Sequence, residues 1–333
     1  MKVIQYQDLL NKLKSILLRY KFSNKDADLC AQIFANNTLV GVASHGINRF
    51  SSFIKLINEG CIKVGSKPML IKSFGALEQW DANLGPGPLN AWSATDRVME
   101  IAGENGIGCV AYKNSNHWMR AGTYGWKAAE KGFILICWTN AYPMMPAWGS
   151  SEPTLGNNPM VLAVPRKSGH IVLDFALSQY SFGKLADYKR EGKSLPFIGG
   201  YNGEGEFSAD PSEVLDSRRP LPIGYWKGSG LSILLDLIAA ILSGGKTSFE
   251  LGFTEHDTGM SQVFIAVDPR KVQSADSINQ IADKIILSIK KSTPLKEIDQ
   301  ILYPGERIKK TREINLRDGI RIDQKIWEKV EKL

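Results

Sequence analysis

The spacing of apolar residues changes near residue 70, and this change restricts the chain to a fold with two kinds of region. In roughly the first 60 residues, apolar side chains recur three and four positions apart, which predicts one-sided helices. Beyond residue 70, short β-prone runs alternate with helical stretches, as is typical of an α/β region. The predicted strands are Ile107–Tyr112, Phe133–Thr139, Met160–Val164, Ile171–Phe175 and Val263–Val267, and the predicted helices among them are Leu89–Glu104 and Arg120–Lys131.

Two later segments depart from this alternation. The glycine-rich, charged stretch Gly192–Arg219 predicts a long surface excursion made of loops, of the kind that often carries function. The apolar run Leu231–Leu242 is 12 residues long and contains Asp236. It is too short and too polar for a membrane span, so we predict a buried helix. The end of the chain returns to a helical pattern with mixed charge.

Composition excludes several classes of protein. With 333 residues, 43% of them hydrophobic and 23% charged, the chain is long and apolar enough for a large core. The excess of the +7 net charge is concentrated near the C-terminus, around Lys309, Lys310 and Arg312. It lacks the dense basic stripe with aromatics of a nucleic-acid-binding protein, and it suits a small anionic substrate better. The N-terminus lacks the apolar run of a secretory signal. The cysteines Cys30, Cys61, Cys109 and Cys137 form no CxxC pair, which predicts no metal site and a reducing cytoplasm.

Standard nucleotide-binding motifs are absent or misplaced. No P-loop sequence and no nucleophile-elbow sequence occurs. The letters of the loose dinucleotide fingerprint, GxGxxA, appear at Gly106–Ala111. They follow a predicted helix and lead into a strand, whereas the fingerprint must follow a strand and open a helix. We therefore predict a tight helix-to-strand turn there and no orthodox Rossmann site.

His45 and Arg49 are the first candidates for chemistry. Ser44 predicts the N-cap of a helix that continues to Gly60, which would place His45 and Arg49 on one face at spacing i, i+4. An arginine fork binds a carboxylate, and an imidazole donates to a neighbouring carbonyl oxygen. The alternative is that two surface side chains share a face by accident, and spacing alone does not exclude it.

His117 is the third candidate. It lies just beyond the predicted strand Ile107–Tyr112, in a polar loop that leads into a helix, and ligand sites of α/β proteins gather at such positions. A helix-capping loop is the alternative. Thr139 and Asn140 end another predicted strand, so His117 or this pair is expected to hydrogen-bond hydroxyl groups of a substrate.

Several motifs in one order give the chain a resemblance to a known family. They are SHGINRF, NHWMRAGTYGW, ICWTNA, the turn Gly156–Pro159, Tyr225–Gly228 and Leu302–Gly305. Together they resemble the type 2 malate/L-lactate dehydrogenase family over essentially the whole chain. NHWMRAG and GYWKGSG favour the branch that acts on 2,3-diketo-L-gulonate.

This resemblance implies an α/β fold that binds NAD(P) without a Rossmann domain. It implies a mostly helical domain built from both chain ends, residues 1–70 plus 270–333 with part of 190–260, and an α/β nicotinamide-binding domain over residues 71–269. The family is typically homodimeric, with the site near the subunit interface. NADH is the expected cofactor, and NADPH is the alternative because no acidic residue is identifiable as a reader of the ribose.

The resemblance also nominates site residues. His45 matches the proton donor of the family. The matching cofactor contacts are His170, Ile171, Val172, Leu173, Asp174, Phe175, Ala176, Trp226, Lys227, Gly305, Glu306 and Arg307. Phe175 stands where the family usually has methionine, and His170 stands where many relatives have a small residue. Without the resemblance, Lys227 would be read as a solvated lysine ahead of a helix.

The expected reaction is therefore reduction of a ketone in a small 2-oxo or diketo sugar acid. His45 would donate the proton, and Arg49 would bind the carboxylate. Other substrates of the family remain open, namely malate, lactate, ureidoglycolate and cyclic imino acids. So does a relative that binds the cofactor without catalysis. Because the three cofactor segments are far apart in sequence, we expect the cofactor to bridge the α/β domain and the C-terminal tail.

Overall fold

The two ends of the chain fold together into one helical region. In the computed structural model, which describes all 333 residues, a core of 22 buried residues includes Leu13 and Phe34 from the beginning of the chain and Trp327 from its end. The first and last strands pair antiparallel, with Lys2 opposite Ile322. This region contains β1 (Lys2–Ile4), α1 (Tyr6–Arg19), α2 (Asn24–Leu39), α3 (Ile47–Asn58), α11 (Glu306–Asp318), β13 (Ile320–Ile322) and α12 (Gln324–Glu331).

A seven-stranded sheet forms the centre of the rest of the molecule. Its strand order is β2-β3-β4-β12-β5-β8-β9, and only β3 and β4 run parallel. A mainly antiparallel sheet of this order is unlike the parallel Rossmann sheet, so the predicted non-Rossmann α/β class is confirmed. The strands are β2 (Met69–Phe74), β3 (Leu77–Asp81), β4 (Ile107–Asn116), β5 (Ile134–Thr139), β8 (Met160–Val164), β9 (Ile171–Phe175) and β12 (Thr258–Val267).

Helices cover both faces of this sheet. On one face, α4 (Gly87–Asn105) and α5 (Gly122–Glu130) bury residues such as Val98 and Tyr124 in a second core of 21 residues. Gly106 ends α4 with a left-handed φ of +83°, and β4 begins at the next residue. The predicted helix-to-strand turn is confirmed, since glycine adopts this conformation without steric cost.

The segment predicted as a long excursion of loops has a small core of its own. Leu195 and Val214 are buried together with Leu185 of the preceding helix α6 (Phe182–Glu191), so the segment contains short elements as well as loops. Its glycines and charges lie mostly in the turns between these elements. The elements are β10 (Gly200–Tyr201), β11 (Phe207–Ser208) and α7 (Pro211–Ser217).

Helix α8 (Trp226–Ser243) covers the other face of the sheet, and it is not the buried helix that the sequence predicts. Leu235 and Ala239 pack against the sheet, and Trp138 Nε1 donates to Leu235 O at 3.0 Å. The opposite face is apolar and exposed; Ile241, for example, is 73% accessible. By length and composition alone α8 would be able to cross a membrane, but 39% of it is buried within the protein.

The remaining elements are short, apart from one helix beside the sheet. Helix α10 (Ala275–Lys291) is held at the turn between β8 and β9, where Arg166 Nε donates to Asp283 Oδ1 at 2.6 Å. The others are β6 (Met145–Pro146), β7 (Pro153–Leu155) and α9 (Ser248–Leu251).

Candidate active site

His45 ends a one-turn 3₁₀ helix, Ala43–His45, between α2 and α3. Gly46 follows with φ −115° and ψ −126°, and α3 begins only at Ile47. A Cβ at position 46 would overlap Thr38 Oγ1, so the close approach to α2 requires glycine. The same Thr38 hydroxyl accepts a hydrogen bond from Ile47 N at 2.9 Å. Helix α2 therefore fixes where α3 begins.

The predicted continuous helix from Ser44 is consequently wrong, because Gly46 interrupts it. His45 and Arg49 do not share a helical face, and Ser44 is not the cap of α3. Instead, Ser44 Oγ lies 3.0 Å from His45 Nδ1. Arg49 lies in the first turn of α3, is exposed and takes part in no ion pair. The two side chains remain electrostatic neighbours, since Arg49 lowers the pKa of His45.

His117 lies against His45 just beyond the end of β4. The two imidazole rings are stacked, with centroids 5.8 Å apart and planes 23° from parallel. Met119 N donates to His117 Nδ1 at 3.0 Å, so Nδ1 is an acceptor and a neutral ring carries its proton on Nε2. The histidine pair, His45 and His117, therefore combines two groups that lie 72 positions apart in the sequence.

Burial and nearby positive charge lower the pKa of both histidines. Burial lowers the pKa of His117 well below its usual value, and the positive charges of Arg49 and His45 add to that effect. Burial also lowers the pKa of His45, as do Arg49 and Arg120, while Asp174 opposes them. The carboxylate of a bound substrate would offset the charge of Arg49. Protonation of His45 is therefore favoured when an anion occupies the site.

Asp174 and Arg120 form a second polar group close to His45. Arg120 Nε donates to Asp174 Oδ2 at 3.2 Å, and Gly122 N, at the start of α5, donates to the same oxygen at 3.0 Å. Arg120 is 7% exposed, and its burial lowers its pKa although Asp174 opposes this. Sequence reasoning did not nominate Arg120. Its position within NHWMRAG, three residues after His117, was the available signal.

Thr139 and Asn140 are buried and use their hydrogen-bonding groups within the protein. Thr139 Oγ1 donates to Ser261 O at 3.2 Å. Asn140 Nδ2 donates to Asp236 Oδ1 at 2.9 Å and to Lys246 O at 2.7 Å, and its Oδ1 accepts from Ser261 N at 2.8 Å. Each polar atom of the Asn140 side chain therefore has a partner within the protein. This pair joins β5, β12 and α8, and we assign it to the framework.

The C-terminal tail lies directly against β9. Val172 N donates to Pro304 O at 3.0 Å. Gly305 has a φ of +95°, and a Cβ there would lie 3.2 Å from Trp126 Cζ2 and 3.3 Å from Val172 N. The His170 ring packs edge-on against Trp126 with centroids 5.7 Å apart. The tail thus follows β9 at contact distance, and only glycine fits that approach without strain.

The neighbouring residues of β9 alternate in exposure. Val172 is buried against α5, Leu173 is 41% exposed, and the others are half-buried. Beyond the strand, Ile223 N donates to Leu177 O at 2.9 Å, which places the start of α8 beside the end of β9. The nominated segments 170–176, 226–227 and 305–307 are therefore brought together along one strand.

Both nominated segments outside β9, residues 226–227 and 305–307, lie at helix N-termini. Helix α8 begins at Trp226, and α11 begins at Glu306. Neither helix has a side-chain cap, and no backbone oxygen accepts from the N–H of Trp226 or of Arg307. Lys227 and Arg307 are exposed, and Arg307 lines a groove of about 860 Å³. Glu306 is held by Lys290 at 2.6 Å. Free N–H groups at helix starts, with nearby cations, suit phosphate oxygens.

Asp257 is a second group that sequence reasoning missed. It precedes β12 and lies near Arg49, whose charge lowers the pKa of its carboxyl group while the larger effect of burial raises it. Its Oδ1 is buried and receives no hydrogen bond. The short polar run around it carries no periodicity and gave no signal.

Two stacked imidazoles beside a guanidinium that has no ion pair equip the protein to move a proton at the oxygen of an anionic substrate. The family model described as malate/L-lactate dehydrogenase matches residues 4–331. The chain belongs to this family.

Relatives and solved structures agree with the match. The chain is 41% identical over 331 residues to the 2,3-diketo-L-gulonate reductase of Klebsiella pneumoniae, with 99% of each protein covered. It resembles the structure of sulfolactate dehydrogenase from Methanocaldococcus jannaschii at 27% identity and a TM-score of 0.92, covering 99% of this chain and 96% of the other. Malate dehydrogenase from Pyrococcus horikoshii follows at 27% identity and a TM-score of 0.90, covering 99% and 94%.

The protein is thus an oxidoreductase that acts on a CH–OH group, as the resemblance implied. Dehydrogenases of this family call for a nicotinamide cofactor. The residues present fit one, because two uncapped helix N-termini and a glycine-lined approach meet along β9.

Proposed function

We propose that this enzyme reduces 2,3-diketo-L-gulonate with NADH, with His45 as the proton donor. The observation that carries the proposal is the histidine pair, stacked at 5.8 Å and adjoined by an arginine that has no partner in the protein. Two relatives that are 41% and 40% identical over 99% of this chain are named 2,3-diketo-L-gulonate reductase.

His45, Arg49 and His117 each have a separate role in the proposed reaction. Reduced nicotinamide, when bound, supplies the hydride that is added to the carbonyl carbon. His45 gives its proton to the carbonyl oxygen as negative charge develops there. Arg49 binds the carboxylate through its planar fork, which orients the ketone. His117 donates from Nε2 to an oxygen of the substrate, since its Nδ1 already accepts from Met119 N.

The segment at β9 and the starts of α8 and α11 would hold the cofactor. The uncapped N–H groups at Trp226 and Arg307 support this placement, and Lys227 and Arg307 add positive charge. NADH is the proposed preference and NADPH the alternative. A cytoplasmic location accompanies the proposal, and all four cysteines are free thiols.

A substrate panel tests the proposal. Purified protein is mixed with NADH or NADPH and with 2,3-diketo-L-gulonate, pyruvate, oxaloacetate or a cyclic imino acid, and loss of absorbance at the reduced nicotinamide band is followed. The highest kcat/KM should belong to 2,3-diketo-L-gulonate with NADH. A higher value for another acid would assign the enzyme to another branch of the family, and cofactor binding without turnover would indicate an inactive relative.

We propose also that the protein is a homodimer that buries the exposed face of α8. An apolar surface of this kind marks an interaction site more often than free surface. The face consists of side chains exposed by 37 to 73%, namely Leu231, Ile233, Leu234, Leu237, Ile238 and Ile241. The opposite side of the same helix is fixed to the sheet, so the face has a constant shape.

Light scattering after size exclusion tests the dimer. The unchanged protein should have twice the mass of the chain, and Ile241→Glu should lower it to that of one chain, because a buried unpaired charge is costly at an interface. Leu295→Glu is the matched control, since Leu295 is 80% exposed and lies outside α8. A monomeric unchanged protein, or a dimeric Ile241→Glu variant, would contradict this assignment.

A further inference from the structure

The reaction described above leaves one buried acidic group at the site without a task. Asp257 lies immediately before β12, and the ladder between β12 and β4 ends with Thr258 opposite Asn116. Because the strands are antiparallel, Asp257 and His117 are the next residues beyond that last pair. The two side chains therefore leave the sheet at the same end, where the histidine pair lies.

A β-bulge sets the direction of this end of β12. The register shifts between Thr258 and Met260, and Gly259 between them has a φ of +81°. Bulges occur next to active sites, where the additional residue turns neighbouring side chains away from the regular alternation. The loop before the bulge is also held from outside, since His256 Nε2 lies 3.7 Å from Glu59 Oε2 near the end of α3.

The hydrogen bonds of Asp257 are incomplete. The Tyr142 backbone helps to stabilise the ionised form and Arg49 contributes its charge, but Oδ1 is buried and no donor reaches it. Asn116, at the last pair of the ladder, likewise has a buried Oδ1 without a donor. Buried polar atoms are almost always hydrogen-bonded, and an ionised carboxylate can only accept. Burial raises the pKa of Asp257, whereas the charge of Arg49 and the Tyr142 backbone oppose that effect. In the ionised form, which those two groups stabilise, the missing partner of Oδ1 is a donor.

A polyhydroxy acid can supply this donor, because its hydroxyl groups can donate a hydrogen bond to Asp257 Oδ1. A second carboxylate would be repelled by Asp257, and a methyl group would leave Oδ1 unpaired. We propose that Asp257 accepts a hydrogen bond from a hydroxyl of the substrate tail and selects hydroxylated acids over dicarboxylates and short 2-oxo acids. This inference rests on the proposed function, in which Arg49 binds the carboxylate at the other end of the substrate.

Binding of unreactive acids tests the selection without turnover. L-Gulonate carries hydroxyl groups on every carbon after the carboxylate and has no ketone, so the enzyme–NADH complex cannot reduce it. L-Lactate has no polyhydroxy tail, and L-malate has a second carboxylate. Dissociation constants for the three acids are measured by NADH fluorescence on the unchanged enzyme, Asp257→Ala and Asp257→Asn. Glu255→Gln is the matched control, because its carboxylate is exposed in the same loop.

We expect Asp257→Ala to weaken L-gulonate binding about 10- to 100-fold, the loss associated with a hydrogen bond to a charged group. L-Lactate binding should change by less than about twofold, and L-malate binding should become tighter because a repulsive charge is removed. Asp257→Asn should retain part of the L-gulonate affinity through its side-chain oxygen. Glu255→Gln should leave all three constants unchanged.

Two results would overturn the inference. Equal weakening of all three acids would show that Asp257 supports the site only structurally, and unchanged L-gulonate binding would show that no hydroxyl reaches it. Turnover of 2,3-diketo-L-gulonate is measured separately. A protein that does not reduce it, yet binds L-gulonate in an Asp257-dependent manner, would contradict the proposed substrate and leave the hydroxyl subsite in place.

Discussion

The histidine pair and the start of α5 adjoin each other, yet they differ in how far the protein satisfies their polar groups. At the start of α5, Asp174 receives hydrogen bonds from Arg120 and from Gly122 N. At the histidine pair, Arg49 has no ion pair and Asp257 Oδ1 has no donor. Both regions are partly buried, so exposure alone does not separate them.

This difference separates polar residues that support the framework from polar residues that are available to a ligand. A side chain whose partners all lie in the protein positions other groups, as Asn140 does between β5, β12 and α8. A buried side chain with an unused donor or acceptor at the site is available to a partner from outside, such as water or a ligand. Substitutions at both kinds of residue test this difference.

The largest effect is expected at His45. His45→Ala removes the proton donor, so kcat for reduction should fall by about 10² to 10⁴. NADH affinity, measured by fluorescence titration, should remain nearly the same because the cofactor segments lie along β9. A variant that kept more than about a tenth of the activity would assign proton donation elsewhere, and a parallel loss of NADH binding would show that the two regions are not separable.

Two substitutions at Arg49 separate its shape from its charge. Arg49→Lys retains the charge and loses the fork, so KM for a carboxylate substrate should rise about tenfold or more. Asn48→Ala, at the exposed neighbouring position, is the control and should leave KM unchanged. Normal kinetics for Arg49→Lys would remove this residue from the site.

Arg49→Gln should change the pH profile instead. His45 must be protonated for reduction, and its pKa lies below 6.5 in part because of Arg49. The kcat/KM for reduction therefore falls as pH rises through that lowered pKa. Removing the positive charge raises the pKa, so the inflection should move to higher pH in Arg49→Gln and stay in place in Arg49→Lys. An unmoved inflection in Arg49→Gln would mean that another group titrates.

The smallest effect is expected where the polar groups are already satisfied. Thr139→Val removes the hydroxyl that donates to Ser261 O, which should lower the free energy of unfolding by about 1 kcal/mol. Denaturant titration measures this loss, while KM for the substrate should not change. A raised KM at normal stability would return Thr139 to the substrate site.

The sequence predicted the strands well where apolar, β-prone runs are bounded by turns. The strands at 160–164 and 171–175 begin and end where they were predicted, because each is a short run of this kind. The strand Met69–Phe74 was missed, since all its residues are exposed and no alternation marks it. The break at Gly46 was missed because its cause is contact with Thr38 on another helix, which no local pattern records.

For the site, the sequence predicted individual residues better than it predicted their arrangement in space. His45, Arg49 and His117 lie together, but the helical spacing used to pair the first two does not exist. Asp257 and Arg120 join the same region through sheet register and through β9, which are long-range features. Resemblance supplied the cofactor segments; only folding shows that two of them are uncapped helix starts.

The contact between the two ends of the chain affects the order in which the enzyme folds during synthesis. Lys2 Nζ contacts Glu331 Oε1 at 3.3 Å across 329 positions, and β1 pairs with β13. Contacts at such separation form only after residues 320–331 have been synthesised. The helices around His45 are therefore synthesised first, while their core is completed late. A nascent chain can finish its central sheet before the histidine pair has a stable support.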